Sequence, residues 1–200
     1  MIIAFTGAGI SKASGIDTFQ DRPGIRDKLT RSFATSHPTE YREVMCEFVG
    51  TIKGKEPNDA HYALAEYKIP IITMNVDGLH QKAGSQNVIA LHGCLPNDKE
   101  LGYCERLYNR PVLYGDPAPN YELAYDMLWL MDSQDILLVV GASDYTNISV
   151  GLRDYVRRNR TKVVEIQADA ETEVRKFLES HKEYMESYEE YKKREEKWYH

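Results

Sequence analysis

Two apolar runs each deliver chemistry-bearing residues: Asn75 and Asp77 follow the run that ends at Thr73, and His92 follows the run that ends at Leu91. An amide can orient hydroxyl groups and a water, and a carboxylate can accept from a carboxamide. An imidazole, with an unperturbed pKa of about 6.5, can take a proton near neutrality. A third feature stands at the start, where residues 2–5 run into Thr6-Gly7-Ala8-Gly9-Ile10-Ser11 and then Ser14-Gly15-Ile16. A strand opening into a glycine-rich turn can offer backbone N–H groups and a helix N-terminus to a pyrophosphate. Gly7-Ala8-Gly9 alone is a weak sign, because the third glycine of the dinucleotide fingerprint is missing. With Asn75, Asp77 and His92 beside it, the combination predicts a nucleotide-using enzyme.

Each of these residues has an ordinary structural reading as well. A lone His after a core strand caps a turn, Asn and Asp are common turn residues, and Ser11 and Ser143 could be helix N-caps as readily as phosphate or ribose contacts.

The elements that must position them follow from hydrophobic patterning. Apolar runs at 2–5, 69–73, 88–91, 112–114, 136–140 and 163–166 each precede Gly, Asn or Asp and read as buried parallel strands. Helical patterns at 60–67, 121–131 and 150–158 lie between them. The alternation predicts an α/β fold, a Rossmann-like parallel sheet with helices on both faces, with ligands at the carboxyl ends of the strands. Residues 20–56 break the pattern and read as a loop with a small helical insertion, a reduced small domain beside the 1–170 unit. Residues 171–200 read as a C-terminal amphipathic helix, with Val174, Phe177, Leu178, Tyr184 and Tyr188 at helical spacing. It is expected to pack on its own domain.

With 200 residues and 42% hydrophobic content the chain can bury a real core, and its net charge of −6 gives no argument for nonspecific nucleic-acid or membrane binding. No run is long enough to span a bilayer and no signal-peptide pattern opens the chain, so a cytoplasmic protein is expected. Cys46, Cys94 and Cys104 are too few for a disulfide framework.

Taken together, Gly7 to Ser11, Ser14-Gly15-Ile16, Pro57-Asn58 with His61 and Ala63-Leu64, Asn75-Val76-Asp77-Gly78-Leu79-His80, Leu91-His92-Gly93, Tyr114-Gly115, Gly141-Ala142-Ser143 and Val164-Glu165-Ile166 resemble the sirtuin family of NAD-dependent protein deacylases. The blocks occur in that family's order over roughly residues 2 to 168. The resemblance implies NAD as cofactor and an acylated protein lysine as substrate, with nicotinamide and O-acyl-ADP-ribose released. It implies that His92 is the general base, that Asn75 orients the ribose and a water, and that Asp77 takes the nicotinamide carboxamide. Cofactor contacts are expected from Gly7, Ala8, Gly9, Ser11, Gln20, Arg22, Met74, Asn75, Val76, Asp77, Gly141, Ala142, Ser143 and Gln167, and substrate contacts from Leu113, Tyr114 and Gly115. His80 is expected to hydrogen-bond within its helix start, and His61 to pack without doing chemistry.

The departures matter as much. Gln20 stands where the family has an arginine on its cofactor loop, with Arg22 the available substitute, and Met74 stands in place of a glutamine. Ala142 replaces a threonine, and 144–148 replaces a more apolar stretch. Most sirtuins carry a zinc module held by four cysteines; Cys94 and Cys104 are the only thiols in the matching region, so no metal site is expected. These losses leave two alternatives open: an NAD hydrolase or ADP-ribosyltransferase, and a non-catalytic NAD or ADP-ribose sensor.

Overall fold

The computed structural model describes residues 1–17, 24–144 and 146–188. Five strands form one parallel sheet: β1 (Ile2–Thr6), β2 (Ile71–Thr73), β3 (Val88–Ala90), β4 (Ile136–Val140) and β5 (Lys162–Ile166), in the order β3-β2-β1-β4-β5. The central strand β1 and its neighbour β4 pair in register from Ile2 opposite Ile136 to Thr6 opposite Val140, and both are buried throughout. Burial on both faces is why these runs are continuously apolar rather than alternating.

Successive side chains leave a strand on opposite faces, and the two halves of the core follow that rule. Ile2, Ala4, Ile71 and Leu138 face α4 (Asp59–Glu66) and α8 (Ala170–Ser180), packing against Ala63, Leu64, Val174 and Leu178. Ile3, Phe5, Ile72, Leu137 and Val139 face α6 (Asn120–Trp129) and α7 (Asn147–Arg158), against Leu128, Leu152 and Val156. The expected α/β sandwich is therefore present, and the expected C-terminal amphipathic stretch packs into the same core as β1 through Val174, Leu178 and Tyr184, its residues 189–200 lying outside the described residues.

A third apolar cluster lies away from the sheet. It joins α1 (Ile25–Lys28), α2 (Arg31–Ser36) and α3 (Pro38–Ile52) to the 3-10 turn Leu101–Arg106 through Ile25, Ala34, Tyr41, Met45, Phe48, Cys104 and Leu113. Arg31 donates to both carboxylate oxygens of Asp116 at 2.7 Å, and Arg42 donates to both of Glu105 at 2.8 and 2.6 Å.

One expected strand is not one. Residues 112–114 lie outside the sheet: Val112 N–H donates to the His92 carbonyl at 3.0 Å, and Tyr114 bridges in parallel to Thr30. Leu113 is drawn into the third cluster while Tyr114 is 58% exposed, so a short alternating segment satisfies its backbone against two turns instead of joining edge strand β3. Among the described residues, no helix is long and apolar enough to cross a membrane.

Candidate active site

The order of the strands places a topological switch between β1 and β4, where ligands commonly bind in open α/β sheets. The strand ends approach closely there. Gly7 N–H donates to the Val140 carbonyl at 3.0 Å and Gly9 N–H to the Gly141 carbonyl at 2.9 Å. A Cβ on Gly9 would stand 2.5 Å from Gly141 Cα, and Gly141 has φ +57° with its own missing Cβ directed at the Ile10 backbone. The glycines are thus required for backbone packing across the switch. Two of the turn's N–H groups, expected to face a pyrophosphate, are spent inside the protein.

Ser11 lies inside the 3-10 helix Ala8–Ser14, fully buried, rather than at its N-cap, which is Gly7. Its hydroxyl donates to Asp77 Oδ2 at 2.7 Å and accepts from Asn75 Nδ2 at 3.2 Å. Asp77 Oδ1 accepts from Leu79 N–H at 3.0 Å, so this carboxylate performs the local turn chemistry and also faces the site. Ser11, Asn75, Val76 and Asp77 line a cavity of about 390 Å³ with Ala8, Gly15, Asp17 and Lys55.

His92 lines a second cavity, of about 510 Å³, with Met74, Leu113, Tyr114, Gly115 and Tyr121. Phe48, Val76 and Leu95 line both cavities and so mark where they adjoin. His92 Nδ1 is 3.1 Å from the Met74 carbonyl oxygen. A carbonyl only accepts, so Nδ1 carries the proton and Nε2 keeps its lone pair. Tyr121 OH stands 3.3 Å from Nε2, positioned to donate to it. Burial lowers the His92 pKa from its ordinary value, partly opposed by the Met74 hydrogen bond, and burial raises that of Tyr121.

Met74 carries no amide, and its Sδ accepts instead from Thr146 Oγ1 at 3.5 Å. Thr146 is also the N-cap of α7, accepting from Ser149 N–H, so Ser143 is not the cap; the Ser143 carbonyl accepts from Ser149 Oγ at 2.7 Å. Ala142 is buried and its carbonyl accepts from Gln167 Nε2 at 3.0 Å and from Arg153 at 2.6 Å. Gln20 and Arg22 lie outside the described residues.

His80 departs from expectation. Its Nε2 is 2.9 Å from Thr6 Oγ1 on β1, a contact across the fold rather than within its helix start, α5 (Leu79–Lys82). His61 does sit in the local motif: it completes a capping box with Asn58 at the start of α4.

Tyr121 and Arg153 carried no sequence signal as site residues. Tyr121 sits in an ordinary helical pattern, and only the α6 trajectory brings it to His92. Arg153 is 2% exposed. It bonds Ala142, Glu165 and Ser149 and pairs with Asp144 at 3.1 Å, thereby bracing the β4–α7 turn. A cation in an amphipathic helix reads from sequence as solvent-facing.

Comparison with known proteins bears on the family and the fold. The NAD-dependent protein deacylase of Thermococcus sibiricus is 32% identical over 204 residues, covering 82% of this chain and 79% of that protein. The NAD-dependent protein deacetylase of Saccharolobus solfataricus is 34% identical over 176 residues, 70% of each. The crystal structure of a Sir2 homolog–NAD complex shares the fold with a TM-score of 0.75 at 23% identity, over 92% of this chain and 90% of that one. A Sir2–p53 peptide–NAD+ structure gives 0.74 at 25%, over 90% and 92%. The model of the Sir2 family matches residues 7–110, across the three strand ends that precede Ser11, Asn75 with Asp77, and His92, and the chain belongs to that family, the sirtuins.

Proposed function

We propose that this chain is an NAD-dependent protein-lysine deacylase that releases nicotinamide and O-acyl-ADP-ribose. The observation that carries the reading is the pairing of two adjoining cavities, one holding the Ser11–Asn75–Asp77 cluster and the other the unprotonated Nε2 of His92.

The residues fit NAD. An acceptor carboxylate and a nearly buried amide share one cavity at the carboxyl ends of the strands, and Gly141, Ala142, Ser143 and Gln167 flank the same sheet edge at β4 and β5. NAD supplies a ribose carbon bonded to a cationic leaving group, which the acyl-lysine carbonyl oxygen can attack. Asp77 accepts from the leaving carboxamide, and Asn75 holds a ribose hydroxyl or a water. His92 Nε2 takes the proton relayed through the ribose hydroxyls, and Leu113, Tyr114 and Gly115 receive the acylated peptide. Tyr121 must release Nε2 when substrate enters. Burial of Asn75 strengthens its polar contacts.

The alternative is NAD hydrolysis or ADP-ribosyl transfer, favoured by one observation: Met74 turns to Thr146 and offers the ribose no amide. Cleavage by water needs less alignment. Incubation with NAD, with and without an acetyl-lysine peptide, followed by mass spectrometry of the ADP-ribose products, separates the two. O-acetyl-ADP-ribose formed only with peptide supports the deacylase; ADP-ribose alone under both conditions supports the hydrolase.

A further inference from the structure

His61 and His80 lie behind the cluster just described, 0% and 1% exposed, with ring centroids 4.9 Å apart and planes inclined by 54°. Each has one nitrogen without a hydrogen-bond partner: Nε2 of His61 and Nδ1 of His80. Buried polar atoms are nearly always bonded. Two such atoms on neighbouring rings therefore call for a common explanation.

Their tautomers can be fixed from opposite ends. Asn58 N–H donates to His61 Nδ1 at 3.4 Å, so a neutral His61 carries its proton on Nε2. At the other end Thr6 Oγ1 donates to Thr73 Oγ1 at 2.8 Å. A hydroxyl has one proton, so Thr6 can only accept from His80, whose Nε2 must be the N–H. His80 Nδ1 is then a bare acceptor. The two partnerless atoms come out as one donor and one acceptor, although nothing in the two derivations is shared. Burial lowers both pKa values, for His61 against an opposing pull from Asp77, and the neighbouring His61 lowers that of His80 further, which agrees with two neutral rings.

We propose that His61 and His80 form a tautomer-locked pair, His61 Nε2–H donating to His80 Nδ1 through one buried water, and that His80 is thereby a positioning residue for Asn75. The connection continues through named atoms. His80 Nε2–H donates to Thr6 Oγ1, Thr6 donates to Thr73 Oγ1, and Thr73 Oγ1 also accepts from Asn75 N–H at 3.0 Å. The backbone from which the Asn75 amide reaches Ser11 is thus tied to a polar chain that crosses from α4 through α5 and β1 to β2. This role rests on the reading of Asn75 as the ribose-orienting residue of a deacylase.

The test has two arms. Nitrogen-15 to proton correlation of the imidazoles in the folded, ligand-free protein at neutral pH should show both rings neutral, protonated on Nε2, with the His61 Hε2 slow to exchange. A His80 protonated on Nδ1, a charged ring, or a rapidly exchanging His61 Hε2 overturns the pair. In the second arm, His80→Leu should lower kcat about tenfold or more while ADP-ribose affinity, by calorimetry, stays within about threefold. His80→Gln, which can place a donor near the Nε2 position, should recover most of the loss. Equal kcat in His80→Leu and unmodified protein, or equal damage in Leu and Gln variants of matched stability, overturns the positioning role. If the unmodified protein gives no NAD-dependent product at all, the deacylase reading fails and the positioning role falls with it, whereas the tautomer pair stands or falls on the first arm.

Discussion

At the scale of single residues, the site works through which atoms hold protons. With Nδ1 committed to the Met74 carbonyl, His92 presents a lone pair at Nε2 and needs no rearrangement of its ring to act as a base. His92→Ala should therefore reduce deacylation by about a hundredfold or more, while NAD affinity stays within about tenfold, because a base contributes mainly in the transition state. Steady-state rates and calorimetry on the same variant decide it; retained turnover would make His92 structural. The pH profile follows from the direction of the His92 shift. A base with a lowered pKa stays unprotonated to lower pH, so the acid limb of kcat/KM should lie below about pH 6.5. Tyr121→Phe frees Nε2 from its resting partner and should raise the apparent pKa toward the ordinary value only if the hydroxyl donates there, as its 3.3 Å distance suggests.

At the scale of elements, the switch between β1 and β4 is held by absence of side chains on one side and by a buried cation on the other. Gly141→Ala forces a Cβ onto the Ile10 backbone at a positive φ, and it should cost at least about 2 kcal/mol, read as a lower urea midpoint with an unchanged m-value. Arg153→Leu removes a partner from Ala142, Glu165 and Asp144 at once. Both carboxylates stay in contact with solvent, so the loss falls chiefly on the buried Ala142 carbonyl left without this donor, about 1–3 kcal/mol, and the change should also weaken ADP-ribose binding, since the β4–α7 turn loses its brace. A variant as stable as the unmodified protein would show that the turn is held by backbone alone.

At the scale of the whole molecule, two sets of forces respond to different solution conditions. The sheet core contains neutral imidazoles: His61 and His80, with His92 beside it, all have lowered pKa values in the folded state. Between those values and about 6.5 the unfolded chain binds more protons than the folded one, so stability rises with pH across that window and is lost as pH falls through it. Unfolding titrations at pH 7 and pH 5 should differ by about 2 kcal/mol or more in favour of pH 7, and His61→Gln should flatten the dependence. The cluster away from the sheet, around Tyr41, Met45, Phe48 and Cys104, carries the Arg31–Asp116 and Arg42–Glu105 pairs, and among the described residues no group of three or more His, Cys, Asp or Glu is placed to hold a metal. Chelation should leave the melting temperature and activity unchanged, and elemental analysis should find far less than one zinc per chain.

What the sequence determined by itself is what depends on local rules. Continuous apolar runs specified buried strands at β1, β2 and β4 because burial on both faces removes alternation, while edge strand β5 is only half-buried with Lys162 and Glu165 exposed, and the residues just past each run had to lie at the carboxyl edge of a parallel sheet. Asn75, Asp77, His92 and Gly141 were legible for that reason. Decisions that depend on distant partners were not. Residues 112–114 have a strand's composition, yet their backbone finds His92, Leu29 and Arg31 rather than β3, and no local pattern encodes that choice. Tyr121 and Arg153 look like ordinary helical residues until the approach of α6 and α7 sets one against the His92 imidazole and buries the other under a turn. His80 was expected to bond within its own helix start; its partner is 74 residues away on β1, because the short α5 helix sits over the strand and a buried imidazole takes whatever donor or acceptor the packing leaves within reach.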